Sequence, residues 1–72
     1  EISSLSNTSK GVMIKWHEVE GAVKYRLYRK EIRPDGSSTS YQAIRNLTGT
    51  AYTDTNVQSG TKYFYGVRAY PP

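Results

Sequence analysis

Seventy-two residues leave room for one small core, because a chain of this size buries only about 60% of the surface it exposes when unfolded. Cysteine is absent, which excludes disulfides, thiol nucleophiles and cysteine metal sites and leaves the redox compartment unread. Ten Lys and Arg against six Asp and Glu give a net charge of +4, a bias toward acidic partners that also serves solubility.

The core has to be aromatic: only 36% of residues are hydrophobic, but seven tyrosines, one tryptophan and one phenylalanine supply large buried areas. No apolar run approaches the ~20 residues of a membrane helix, so no membrane insertion is expected. Glu1 to Asn7 lack the basic-then-apolar order of a signal peptide.

In chain order, a short strand is expected over Ile2 to Leu5, followed by a turn at Ser9-Lys10 and Gly11. Val12, Ile14 and Trp16 then alternate with Met13, Lys15 and His17, the period-two signature of a half-buried strand. A third strand is predicted from Val23 to Lys30, with Val23, Tyr25 and Leu27 inward and the basic residues Lys24, Arg26 and Lys30 outward. Pro34-Asp35-Gly36 and the serine-threonine run after it predict a mobile connection over Glu31 to Ser40. A weaker strand follows over Tyr41 to Leu47, then Thr48-Gly49 turns the chain into a short strand over Thr50 to Asp54. After Gln58-Ser59-Gly60, Tyr63, Tyr65, Val67 and Ala69 alternate with Phe64, Gly66, Arg68 and Tyr70, and Pro71-Pro72 stops the ladder. No stretch holds helical spacing for three turns. Strands at this spacing predict an all-β, immunoglobulin-like sandwich of two antiparallel sheets.

Four motifs in order carry a resemblance: Val12-x-Ile14-x-Trp16, Gly21-Ala22-x-x-Tyr25-x-Leu27-Tyr28-Arg29, Tyr52-Thr53-Asp54, and Ser59-Gly60-Thr61-x-Tyr63-x-Tyr65-x-Val67-x-Ala69-Tyr70. Together they resemble a fibronectin type III repeat of the bacterial extracellular kind. The resemblance implies a structural core of Trp16, Tyr25, Leu27, Tyr63, Tyr65 and Val67. It also implies a tyrosine corner in which the Tyr63 hydroxyl bonds backbone a few residues upstream. The family has a seventh strand after the position of Ala69-Tyr70, so residues 1–72 are expected to form a single domain truncated before that strand.

Catalysis finds little support in these residues. His17 is the only histidine, and beside Glu18 and Glu20 it makes no convergent ligand set, so neither a metal nor a cofactor is expected. The many Ser and Thr lack a base, and Glu18, Glu20, Glu31, Asp35 and Asp54 fall at turns or strand ends rather than along one cleft. Asp54 reads as a turn cap ahead of Asn56. The basic stripe of Lys24, Arg26 and Lys30 around Tyr28 reads as a solvated strand face rather than a nucleic-acid site. Tyr28, Phe64 and Tyr70 share the outer face of neighbouring strands and form the candidate binding surface, with Lys24, Arg26 and Arg68.

The reading is a non-catalytic spacer or protein-interaction module of a larger secreted or surface-anchored bacterial protein. Its partners are neighbouring domains, and polysaccharide or another protein. The alternative is a weak carbohydrate- or cell-wall-binding module that uses the outward aromatics.

Overall fold

A computed structural model describes residues 2–72 and contains six strands and no helix among them. They are β1 (Ile2–Thr8), β2 (Gly11–Trp16), β3 (Lys24–Ile32), β4 (Gln42–Leu47), β5 (Ala51–Asp54) and β6 (Lys62–Tyr70). The strands form two three-stranded sheets, ordered β1-β2-β5 and β4-β3-β6, and every neighbouring pair is antiparallel. This is the all-β sandwich of two antiparallel sheets that the alternation predicts.

Alternation also decides what is buried. Ile14 and Trp16 on β2 meet Tyr25 and Leu27 on β3, and Ile14 and Leu27 are fully excluded from solvent. Trp16 and Tyr25 pack edge to face with ring centroids 5.9 Å apart, an arrangement favoured by the ring quadrupoles. The Tyr25 hydroxyl accepts the backbone N–H of Val19 at 2.9 Å, so this aromatic end of the core also fixes the β2–β3 loop. Tyr65, Val67 and Ala69 pack against the cluster from β6, and Tyr52 does so from β5.

Several boundaries differ from the sequence reading. β1 runs to Thr8, whose hydroxyl accepts the backbone N–H groups of Lys10 and Gly11 and so closes the hairpin itself. Val23 lies before β3 and is exposed, although its N–H still donates to the Tyr70 carbonyl at 2.9 Å. The stretch expected to be a mobile connection is well bonded. β3 continues to Ile32, Arg33 N–H donates to the Ser37 carbonyl, and Thr39 bonds Glu31 through both backbone and side chain. On β4 the register shifts opposite Leu27 and Tyr28, which allows Ile44 to pack against the core while Arg45 lies over the Tyr52 ring.

Tyr63 requires a correction. It lies outside the core cluster and is half-buried, because the Arg29 guanidinium covers its ring at 5.4 Å where apolar packing was expected. Its hydroxyl accepts the N–H of Gln58, five residues upstream, at 2.7 Å.

β6 is an edge strand, and its outer side faces an open cleft of about 390 Å³ lined by Leu5, Val12, Tyr63, Phe64 and Tyr65. Leu5 points inward by register opposite Ile14, yet it is 50% exposed because little of the second sheet covers it.

Gly11 is required by a close approach. Its φ is +150°, and a Cβ there would land on the carbonyl oxygen of Asp54 across the β2–β5 ladder. Gly11→Ala is therefore expected to lower stability by roughly 2–4 kcal/mol through backbone strain and overpacking. Urea denaturation checks this, and an unchanged midpoint refutes the close approach.

Candidate functional site

Two places concentrate polar chemistry. The first is the outer face of the β4-β3-β6 sheet. Lys24 pairs with Tyr70 across the β3–β6 ladder, Arg26 with Arg68, Tyr28 with Gly66 and Lys30 with Phe64. The Tyr28 and Tyr70 hydroxyls meet at 3.3 Å. Three cations gather over the Tyr70 ring, with Arg26 at 5.1 Å, Lys24 at 5.7 Å and Arg68 at 5.8 Å from its centroid. The hydrogen bond with Tyr70, helped by Arg26, draws the Tyr28 hydroxyl below its ordinary pKa. Five of the six candidate surface residues, all but Phe64, thus form one cluster. Phe64 stands further along the sheet, 45% exposed, and shares Lys30 with Tyr41: the ammonium lies 5.8 Å from each ring centroid. A shared face follows from alternation, whereas the partners met across neighbouring strands depend on the register.

The second place is buried, at the end of the sandwich opposite the Trp16–Tyr25 pair. Asp54, 3% exposed at the end of β5, accepts a hydrogen bond from Arg29 Nη1 on β3 at 2.6 Å and one from the Tyr65 hydroxyl on β6 at 2.8 Å, both at Oδ2. Its other oxygen accepts the Asn56 N–H at 3.1 Å, and Arg29 Nη1 also donates to the Asn56 carbonyl at 3.0 Å. Burial opposes the charge on Arg29, and the hydrogen bond and attraction to Asp54 outweigh it, so its pKa rises. Burial, then the bond to Asp54, pushes the Tyr65 hydroxyl well above its ordinary range.

This cluster is a buried cross-sheet tie. The sequence reading found only the local half of it, the cap on Asn56. The signal for the rest was the parity of Arg29, which puts a cation on the inner face of β3 in line with Tyr25 and Leu27.

The remaining titratable residues are dispersed. His17 is exposed just after β2, and Glu18 and Glu20 are exposed in the loop that follows. Glu31 is half-buried on β3. Asp35 is exposed in the β3–β4 loop, where the Ser37 hydroxyl and N–H hold its carboxyl below the usual range. Among the described residues no three of His, Asp and Glu converge to hold a metal ion, and no helix is long and apolar enough to cross a membrane.

Three larger proteins contain a similar segment. An amylopullulanase of Thermoanaerobacterium saccharolyticum is 37% identical over 59 residues, which is 81% of this chain and 4% of that protein. An amylopullulanase of Thermoanaerobacter thermohydrosulfuricus is 36% identical over 70 residues, 96% of this chain and 4% of that protein. A poly(3-hydroxybutyrate) depolymerase of Ralstonia pickettii is 36% identical over 67 residues, 93% of this chain and 12% of that protein. The chain therefore spans 4% to 12% of the length of these relatives. No family model matches the chain, and no solved structure matches it.

Removing Asp54 itself or the hydroxyl of its partner Tyr65 tests the buried tie. Asp54→Ala leaves Arg29 without its counter-charge and is expected to cost about 3–5 kcal/mol. Tyr65→Phe is expected to cost about 1–3 kcal/mol at neutral pH. Folded Tyr65 holds its proton more tightly than unfolded Tyr65, so its contribution is complete below about pH 10 and declines as the pH rises beyond that. The stability gap between parent and Tyr65→Phe should therefore narrow above about pH 10 in chemical denaturation. A gap that stays constant there removes Asp54 and burial as the cause.

Proposed function

We propose that this chain is a fibronectin type III-like accessory module of a larger extracellular bacterial enzyme, and that it carries no catalysis of its own. The observation that carries this reading is the mismatch between the module and the names of the proteins that contain its relatives. Similar segments occupy 4% of two amylopullulanases and 12% of a poly(3-hydroxybutyrate) depolymerase. Polysaccharide and polyester hydrolysis share no substrate that so small a segment could be serving in all three. A role independent of the substrate, such as spacing and supporting neighbouring domains, fits each of them.

The strand topology supports the family resemblance. The sheet orders β1-β2-β5 and β4-β3-β6 and the Tyr63 hydroxyl bonded to Gln58 N–H accord with a fibronectin type III sandwich and its tyrosine corner. The scattered carboxylates and the solvent-facing His17 supply no acid–base pair aimed at one substrate position. Neighbouring domains of the same chain are the first partners on this reading.

Deletion of the module from its parent enzyme provides the test. Turnover of a small soluble substrate is expected to stay within about twofold, because no interaction with the transition state is removed. The melting temperature of the parent, or its activity on insoluble polymer, is expected to fall. A loss of kcat beyond about tenfold in a parent that remains folded overturns the proposal, as does hydrolytic activity in the isolated chain that His17→Ala abolishes.

A further inference from the structure

We propose that the outer face of the β4-β3-β6 sheet binds a linear acidic polysaccharide, with Arg26 and Arg68 gripping its carboxylates and Phe64 and Tyr41 contacting its sugar rings. This goes beyond the accessory role, which stands whether or not the face is occupied.

Charge is the first argument. Alternation puts Lys24, Arg26 and Lys30 of β3 and Lys62 and Arg68 of β6 on this one face, half of the ten Lys and Arg in the sequence. Every acid of β3 and β6 is accounted for elsewhere: the only one on these strands, Glu31, pairs in register with the inward-facing Tyr63. Among the described residues the one ion pair is Arg29 with Asp54, on the inner side, so none of the five outer cations is matched. At the rim, Glu20 lines a shallow depression with Tyr70 and Pro71. The rest of the chain is close to neutral, and this face carries the net charge.

Arrangement is the second argument. Arg26 and Arg68 stand directly opposite each other across the ladder, and like charges in that position cost stability. Both guanidinium groups lie over the Tyr70 ring, which holds them together without neutralising them. Arg26 spends its Nε on Asn46 Oδ1 at 3.0 Å, which fixes the fork and leaves its terminal nitrogens available, and Arg68 is exposed. Two forks side by side match the two oxygens of a carboxylate. Four residues along β3, roughly 13 Å away, Lys30 stands between the exposed rings of Tyr41 and Phe64. Two flat apolar surfaces flanking a cation suit a sugar ring bearing an acid group.

A nucleic acid fits less well. Stacking beside Arg26 and Arg68 would need an open ring there, and Tyr70 is already overlaid by three cations while Tyr28 is joined to it through the hydroxyls.

The test is calorimetric titration of the full chain with polygalacturonate, pullulan and an oligothymidylate at low and at physiological salt. Polygalacturonate is expected to bind and neutral pullulan not to. The double variant Arg26→Gln/Arg68→Gln is expected to weaken polygalacturonate binding by about tenfold or more, while Lys15→Gln, on the other sheet, leaves it unchanged. The double variant relieves a like-charge contact, so a melting temperature at or above that of the parent shows that any loss of binding is not unfolding. Absence of polygalacturonate binding at low salt overturns the proposal. So does equal weakening by Lys15→Gln and the double variant, which marks charge without a site. Tighter binding of the oligothymidylate through Arg26 and Arg68 overturns the choice of polysaccharide.

Discussion

A buried carboxylate organises this small sandwich. Asp54 closes β5 in one sheet and accepts hydrogen bonds from Arg29 and Tyr65 of the other, so the two layers are linked by directed bonds as well as by apolar contact. Its own carbonyl sits where only Gly11 lets β2 approach. The charge is tolerable because both carboxylate oxygens are engaged and Arg29 is itself bonded to the Asn56 carbonyl. The opposite end of the sandwich is held differently, by Trp16 against Tyr25 and by the Tyr25 hydroxyl on the β2–β3 loop. With only four hydrophobic residues buried among those described, neither end has much in reserve, and the two devices divide the work of a larger core.

The same alternation that builds the core segregates the charge. On β3, inward positions hold Tyr25, Leu27 and the compensated Arg29, and outward positions hold Lys24, Arg26, Tyr28 and Lys30. The inner set is satisfied within the fold, whereas the outer set is satisfied only in part, by aromatic rings and one asparagine. A sandwich that needed nothing beyond stability would gain little from setting Arg26 against Arg68.

The fold was largely legible in the sequence wherever one residue in two is apolar. β2, β3 and β6 have that clean period and were located to within a residue or two, and the pairing into two antiparallel sheets followed. β4 read as weak for a physical reason: the register shift that brings both Ile44 and Arg45 to bear on the other sheet breaks the alternation in the letters. The candidate surface was legible as a face but not as a map. Parity placed Tyr28, Phe64 and Tyr70 together, and only the register showed that Tyr28 touches Tyr70 while Phe64 belongs with Lys30 and Tyr41. The tie between Arg29 and Asp54 joins residues 25 positions apart in different sheets, and no local pattern encodes such a partner.

Ile2 lies beside Trp16, and Tyr70 beside Lys24, so the first strand starts and the sixth strand finishes at the same end, next to the β2–β3 loop. An even number of crossings returns the polypeptide to the side it came from. Neighbours joined directly to these two points would sit against each other, with the 41 Å long axis projecting away like a handle. Holding them at opposite ends takes an odd number of crossings. Strand parity thus sets whether segments on either side of such a sandwich are held in series or side by side, independent of anything that binds to its faces.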